Sequence, residues 1–71
     1  MNLPESPLLA EIFLDEAKRI LDDPETDVID ITKAAEKLAF AAAYAGPAPG
    51  AKLLRKILRM KARLSEMLVK L

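Results

Sequence analysis

Carboxylates are the side chains of this sequence that are most able to take part in metal binding or catalysis. Closely spaced carboxylates bind hard cations and can also act as acid/base pairs in catalysis. Most of them fall at helix ends or on a polar helix face, where capping and solubility explain them. We therefore expect no catalytic and no metal-binding role for these groups. The pairs to be considered are Asp15/Glu16, Asp22/Asp23 and Asp27/Asp30.

Other common catalytic groups are missing from the sequence. The 71 residues include no cysteine and no histidine, which excludes disulfides, an imidazole base and a Cys/His metal site. We find no motif of the Ser, Cys or metal enzymes and no Gly-rich phosphate loop. The sequence therefore predicts a protein that is not an enzyme and that needs no cofactor.

Length and composition indicate one small domain, residues 1–71, that buries part of its apolar surface against other chains. Apolar residues make up 52% of the sequence, above the usual ~45–50%, although a short chain has little interior. We expect a soluble protein without a signal peptide or a membrane span, because the N-terminus lacks a basic region and no apolar run approaches ~18 residues. Recombinant expression would then leave it in the cytoplasm.

Local stop and start signals divide the chain into three helices. Ser6-Pro7 is a typical helix start, and Pro24 ends the first helix. The second helix is capped either by Asp23, with Pro24 as its first residue, or by Thr26 or Asp27, and we favour the later start. The Gly/Pro segment 46–50 is a loop. We predict an all-α fold, an antiparallel three-helix bundle. Its helices span about 7–22, 27–45 and 51–70.

The third helix carries an apolar seam with a period of 3.5 residues, the pattern of a helix that packs against others. A second set of apolar residues widens this face: Leu54, Leu58, Leu68 and Val69. These contact either both other helices or another subunit. The seam consists of Leu53, Ile57, Met60, Leu64, Met67 and Leu71.

A basic stripe lies beside this seam: Lys52, Lys56, Arg59, Arg63 and Lys70. Residues 1–36 have a net charge of −7 and residues 37–71 one of +7, so acids of the first helix are natural partners. Neutralisation within one chain, neutralisation by a second copy and a solvated face are all possible. Nucleic-acid and anionic-membrane binding are disfavoured, since the acidic half cancels the long-range field. The candidate acids are Glu11, Asp15 and Asp22, which lie on the side of the first helix away from its predicted core face. We therefore expect the basic stripe of a second copy to reach them more easily than the stripe of the same chain.

Two apolar residues of the first helix, Leu8 and Ile12, fall among its charged side chains. Either Leu3 folds back over them or they contact a partner.

The inward face of the second helix consists mostly of small residues, and its far side carries Ile29, Phe40 and Tyr44. The aromatic pair, four residues apart and therefore adjacent, is either a protein interface or is covered by another helix of the same chain. The predicted inward face comprises Val28, Ile31, Ala34, Ala35, Leu38, Ala39, Ala42 and Ala45.

The sequence resembles de novo designed helical proteins. The resemblance rests on the Ser6-Pro7 start, on DDPET at residues 22–26, on Ala/Glu/Lys/Leu-rich helices and on the absence of Cys, His and Trp. It implies a self-assembling oligomer or a small binder. The β-branched run at 28–32 and the two-proline loop depart from that pattern. The segments AEIFLDEAKRIL and KAAEKLAFAA also resemble archaeal helical hairpins of the HEPN type, whose catalytic Arg-x-x-x-x-His motif is missing here.

The sequence thus favours a structural protein that forms a homo-oligomer through apolar residues of its outer face. The alternative is a monomer that presents the same face to a different protein. A third possibility is a carrier of small apolar ligands in the alanine-lined groove. We expect the interface residues to be Leu8, Ile12, Ile29, Phe40, Tyr44 and Leu58.

Overall fold

The computed structural model describes residues 4–70 and contains three α-helices. Helix α1 spans Pro7–Asp22, α2 spans Val28–Ala45 and α3 spans Ala51–Val69. They pack against one another, and the prediction of an all-α three-helix bundle is confirmed. The helix ends differ from the predicted ones only at Asp27, which caps α2, and at Lys70, which caps α3.

Helix α1 begins and ends at side chains that satisfy its free backbone groups. The Ser6 hydroxyl accepts a hydrogen bond of 3.2 Å from the Leu9 N–H, and Pro7 occupies the first helical position. At the other end the Asp23 N–H donates to the Ile20 carbonyl at 3.3 Å, and the Thr26 hydroxyl donates to the same oxygen. Both ends are therefore encoded by local sequence.

A capping box fixes the start of α2. The Asp30 N–H donates to Asp27 Oδ1 at 2.9 Å, and the Asp27 N–H donates to Asp30 Oδ2 at 3.4 Å. Two free helical donors are satisfied in this way. The box starts a helix in a β-branched stretch of poor intrinsic helix propensity, where Thr32 also donates to the Val28 carbonyl at 3.0 Å.

Helix α2 ends at a glycine that the backbone requires. Gly46 has φ of 82°, in the left-handed region that other residues avoid, and the Glu5 side chain lies where a Cβ would stand. The Ser6 N–H donates to the Tyr44 carbonyl at 2.8 Å. This hydrogen bond ties the start of α1 to the end of α2.

Small residues form most of the interface between α1 and α2, the most closely packed pair of helices. Alanines with at most 1% exposure occupy both facing surfaces, and Leu14, Leu21 and Ile31 fill the space around them. A row of alanines allows two helix backbones to approach closely. The alanines are Ala10, Ala17, Ala34 and Ala41.

Helix α3 is less deeply buried than its partners. Of its apolar residues only Leu53 and Met60 are buried, while Ile57, Leu64 and Met67 are half-buried against the core. The predicted seam therefore does face the other two helices. Leu71, its last member, lies outside the described residues.

The predicted inward face of α2 is partly wrong. Ile31, Ala34 and Ala45 are buried as expected. Val28 is 57% exposed, whereas Ala41, which we had not assigned to that face, is fully buried. The helix is rotated toward α1, because its Tyr44 side packs there against Phe13. The residues displaced from the core by this rotation are Val28, Ala39 and Ala42.

Ile31 is the largest fully buried side chain, at 2% exposure. We predict that Ile31→Ala lowers the free energy of unfolding by about 2–5 kcal/mol, because it removes buried apolar contacts and leaves a cavity. Urea denaturation monitored by circular dichroism measures this change.

Ile29→Ala is the matched control, since this isoleucine is 65% exposed two residues away on the same helix. In dilute solution its effect should stay within about 0.5 kcal/mol. Equal losses for the two variants would contradict the orientation of α2.

Candidate interaction surfaces

An aromatic cluster joins α1 and α2. The Phe13 ring lies 5.4 Å from the Phe40 ring and 5.7 Å from the Tyr44 ring, centroid to centroid, and it stacks on Tyr44 with an interplanar angle of 11°. The Lys37 ammonium lies 5.5 Å from the centre of the Phe13 ring. Such pairs contribute roughly 0.5–1.5 kcal/mol beyond their buried area, so the cluster stabilises the α1–α2 pair within one chain.

An ion pair borders this cluster. Lys37 Nζ lies 2.9 Å from Glu16 Oε2. The oxygen is enclosed and accepts no well-aligned hydrogen bond in the described part of the chain, so the ammonium acts on it mainly through its charge. Lys37 thus contacts both an acid and an aromatic ring of α1.

Four of the apolar residues that we proposed from sequence are solvent-exposed on α1 and α2. We refer to Leu8, Ile12, Ile29 and Phe40 as the outer apolar surface; their exposed fractions lie between 43% and 73%. By helical spacing, Leu8 and Ile12 lie away from the buried row of α1, and the other two share the outer side of α2. Leu3, which one of the two alternatives placed over Leu8 and Ile12, lies outside the described residues.

The remaining two predicted interface residues lie elsewhere. Tyr44 is half-buried and packs against the core, and Phe13 of α1 stacks on it. For Tyr44 the alternative that another helix of the same chain covers the aromatic pair is therefore confirmed. Leu58 is 52% exposed, but it belongs to α3. The structure therefore separates Leu58 from the outer apolar surface on α1 and α2.

Leu58 belongs to a second exposed strip, together with Leu54 and Leu68, for which the sequence left open contact with both other helices or with another subunit. All three are exposed, by 42% to 53%. In an antiparallel pair joined by the 46–50 loop, Ala42 lies near the level of Leu54, and Val28 near that of Leu68. All four are exposed. The signal in the sequence was the apolar arc of α2, which is wider than a three-helix bundle requires. We call this strip the α2–α3 flank; it comprises Val28, Ala39, Ala42, Leu54, Leu58 and Leu68.

Two acids of α1 reach the basic stripe of α3 within one chain. Glu11 Oε1 lies 2.6 Å from Lys56 Nζ, and Asp22 Oδ1 lies 2.5 Å from Arg63 Nη2. Asp22 also pairs with Lys18 of its own helix at 3.0 Å. The expectation that a second copy reaches these acids more easily than the same bundle is wrong for this pair of acids, because they lie on the flank of α1 that faces α3.

These contacts change the acidity of the two carboxyl groups. A hydrogen bond from Lys56, together with its charge, lowers the pKa of Glu11 below its ordinary value. Hydrogen bonds from Arg63 and then from Lys18 lower the pKa of Asp22. Both carboxylates are therefore more stable in their charged form in the folded chain than in the unfolded one.

The other charged residues proposed from sequence sit along the same boundary. Lys52 adds to the positive potential at Glu11. Asp15 and Arg59 line a groove between α1 and α3, although the two form no ion pair there within residues 4–70. The structure thus brings all of the predicted complementary charges to one boundary, with direct ion pairs at its two ends.

Within residues 4–70 no cluster of three or more candidate metal ligands is found. None of the helices described has the length and apolar character needed to cross a membrane. No protein-family model, curated protein or solved structure matches this chain. Inferences about its role therefore rest on the surfaces described above.

The lowered pKa values of Glu11 and Asp22 predict a pH dependence of stability. A depressed pKa contributes stability above the unfolded-state value, and this stability is lost as the pH falls through the folded-state value. We expect the urea midpoint of the native chain to fall between roughly pH 5 and pH 2. It should fall less in the double variant Glu11→Gln, Asp22→Asn.

Glu25→Gln serves as the control, because the Glu25 carboxylate takes part in no ion pair within residues 4–70. Its pH profile should follow that of the native chain. If the double variant retained the full acid-induced loss, the two ion pairs would not account for the pH dependence.

Proposed function

We propose that the protein is a non-enzymatic structural helical protein that self-associates into a homo-oligomer through its outer apolar surface. The observation that carries this proposal is the exposure of large apolar side chains on α1 and α2. Leu8 is 73% exposed, Ile29 65% and Phe40 49%. Single apolar residues are normal on protein surfaces, but several large ones exposed on two packed helices of a small domain are typical of an interface.

The small interior of one chain supports the same proposal. Most buried positions of α2 hold alanine, and none of the buried side chains is aromatic. Complete burial of a large apolar side chain contributes about 1.5–3 kcal/mol, so much of the stabilisation available to this sequence remains unrealised in the monomer. Association of two copies would recover part of it.

Phe40 is the central residue of the proposed contact. Its ring packs against that of Phe13, while about half of the residue's surface remains open to solvent. The partner ring is itself held by Tyr44 and Lys37. Phe40 therefore presents a ring that is already ordered, which reduces the entropy cost of association. Rigid aromatic anchors of this kind dominate the energetics of many interfaces.

The ion pairs give the proposed interface a further property. Glu11 and Asp22 are paired with Lys56 and Arg63 in the same chain, so these groups contribute little attraction between copies. The association we propose is apolar in origin. Added salt should therefore leave it unchanged or strengthen it slightly.

A monomeric binder of another protein is the alternative proposal, and it uses the same surface. The exposed side chains of α1 and α2 support it equally well, and it accords with the resemblance to designed helical proteins. The two proposals differ in the mass of the isolated protein, which stays at 7.8 kDa for a monomeric binder at every concentration.

We predict that Ile29→Glu weakens self-association at least about tenfold, because it places a charge in an apolar contact. Ile29 is exposed and adds little to the interior of its own chain, so the variant should keep its fold. Sedimentation equilibrium at widely separated concentrations measures the association constant, and circular dichroism checks the helix content.

Ala62→Glu provides the matched control, since it adds the same charge at an exposed position of α3. It should associate like the native chain. A native mass of 7.8 kDa at all concentrations would rule out self-association and leave the binder. Equal weakening by both variants would place the contact elsewhere.

A further inference from the structure

A groove of about 310 Å³ runs between α1 and α3. Its floor is apolar and consists of Leu14 and Met60, both of which belong to the core. Basic side chains dominate its walls, and Asp15 is the one acid among its lining residues. The basic residues are Lys18, Lys56, Arg59 and Arg63. We refer to this site as the basic groove.

The groove combines an apolar interior with a charged rim. Long Lys and Arg side chains lay their aliphatic stems along apolar surface and keep their charged ends in water. Stems from both helices therefore extend the floor formed by Leu14 and Met60. A ligand in this groove would meet hydrocarbon along its length and positive charge at the edge.

Ion pairs mark the two ends of the groove and leave its centre available. Lys56 is paired with Glu11 near one end, and Arg63 is paired with Asp22 near the other. These acids are eleven positions apart on α1, which corresponds to about 16 Å along a helix. Arg59 lies between the two pairs and forms no ion pair with residues 4–70.

We propose that the basic groove binds a single-chain anionic amphiphile, such as a medium-chain carboxylate. The hydrocarbon chain lies over Leu14 and Met60, and the anionic head receives hydrogen bonds from the Arg59 guanidinium. Arginine is suited to this role because it binds carboxylates through two parallel N–H donors. The site goes beyond self-association and does not depend on it.

Two observations favour this class of ligand over others. The groove volume is at the lower end of the ~300–1,000 Å³ of small-molecule sites, which suits one short chain better than a two-chain lipid. The whole protein has no net charge, so a bare phosphate without an apolar part gains little from the long-range field.

Asp15 supplies an internal test of the head-group position. Its carboxylate lines the same groove as Arg59 and repels an anion bound there. Removing this charge should therefore strengthen binding of an anionic ligand, whereas it should weaken binding of a cationic one.

Titration of the full chain with sodium decanoate below its micelle concentration tests the proposal, with binding followed by ¹H–¹⁵N NMR. We expect saturable shifts centred on Leu14 and Met60. Arg59→Gln should weaken binding at least about tenfold, which is the usual effect of losing a hydrogen bond to a charged group. Asp15→Asn should tighten binding at least about twofold.

Arg55→Gln is the matched control, because Arg55 is exposed on the same helix and does not line the groove. It should bind decanoate as the native chain does. The neutral analogue 1-decanol should bind the native chain more weakly than decanoate does, and Arg59→Gln should leave the affinity for 1-decanol unchanged.

Three results would overturn the proposal. Shifts confined to the outer apolar surface would place decanoate elsewhere, and equal effects of Arg59→Gln and Arg55→Gln would remove the head-group site. Binding to phosphatidylglycerol vesicles that depends on Arg59, without binding of free decanoate, would assign the groove to a membrane surface. Sedimentation of the same samples reports self-association separately, so each proposal can fail alone.

Discussion

The close approach of α1 and α2 over their alanines is the constraint on which the rest of the structure depends. Ala10 and Ala17 face α2, and Ala34 and Ala41 face α1, each with at most 1% of its surface exposed. Helices that meet through such small residues leave little room between them for large side chains. The aromatic ring of Phe13 is therefore displaced to the edge of the contact, where it meets Phe40 and Tyr44. Because the interface between α1 and α2 has so little interior space, the remaining apolar residues pack against α3 or stay exposed on the surface.

Helix boundaries could be predicted from the sequence because the signals that set them are local. Ser6 accepts a hydrogen bond from a residue three positions away, and so does Asp27. The orientation of α2 could not be predicted in the same way. Alanine occurs around most of that helix, so the apolar pattern does not distinguish one core direction from its neighbours. The choice depends on tertiary contacts of Phe13 and Lys37, and these involve residues of two different helices.

For the charged residues too, the sequence predicted part of the arrangement: which charges are complementary, but not where the acids lie relative to α3. The pattern identified which acids and which bases are complementary, because both occur at regular helical spacing. It placed the acids too far from α3, since it treated every residue outside the core face as lying opposite that face. In a three-helix bundle each helix contacts two neighbours, so a flanking residue such as Glu11 or Asp22 lies at an interhelical boundary. The flank of a helix, which borders a neighbouring helix, must therefore be distinguished from its outer face before a charge is assigned to a partner in the same chain or in another.

This distinction also separates the two proposed sites. The ion pairs at the α1–α3 boundary use charges of the same chain, so the self-association that we propose relies mainly on apolar contact. The outer apolar surface, which we propose for this contact, lies on α1 and α2. Arg59 remains at the centre of the α1–α3 boundary without an ion-pair partner among residues 4–70. A small anion that enters the groove can reach it, and the apolar floor then favours one that carries a hydrocarbon chain.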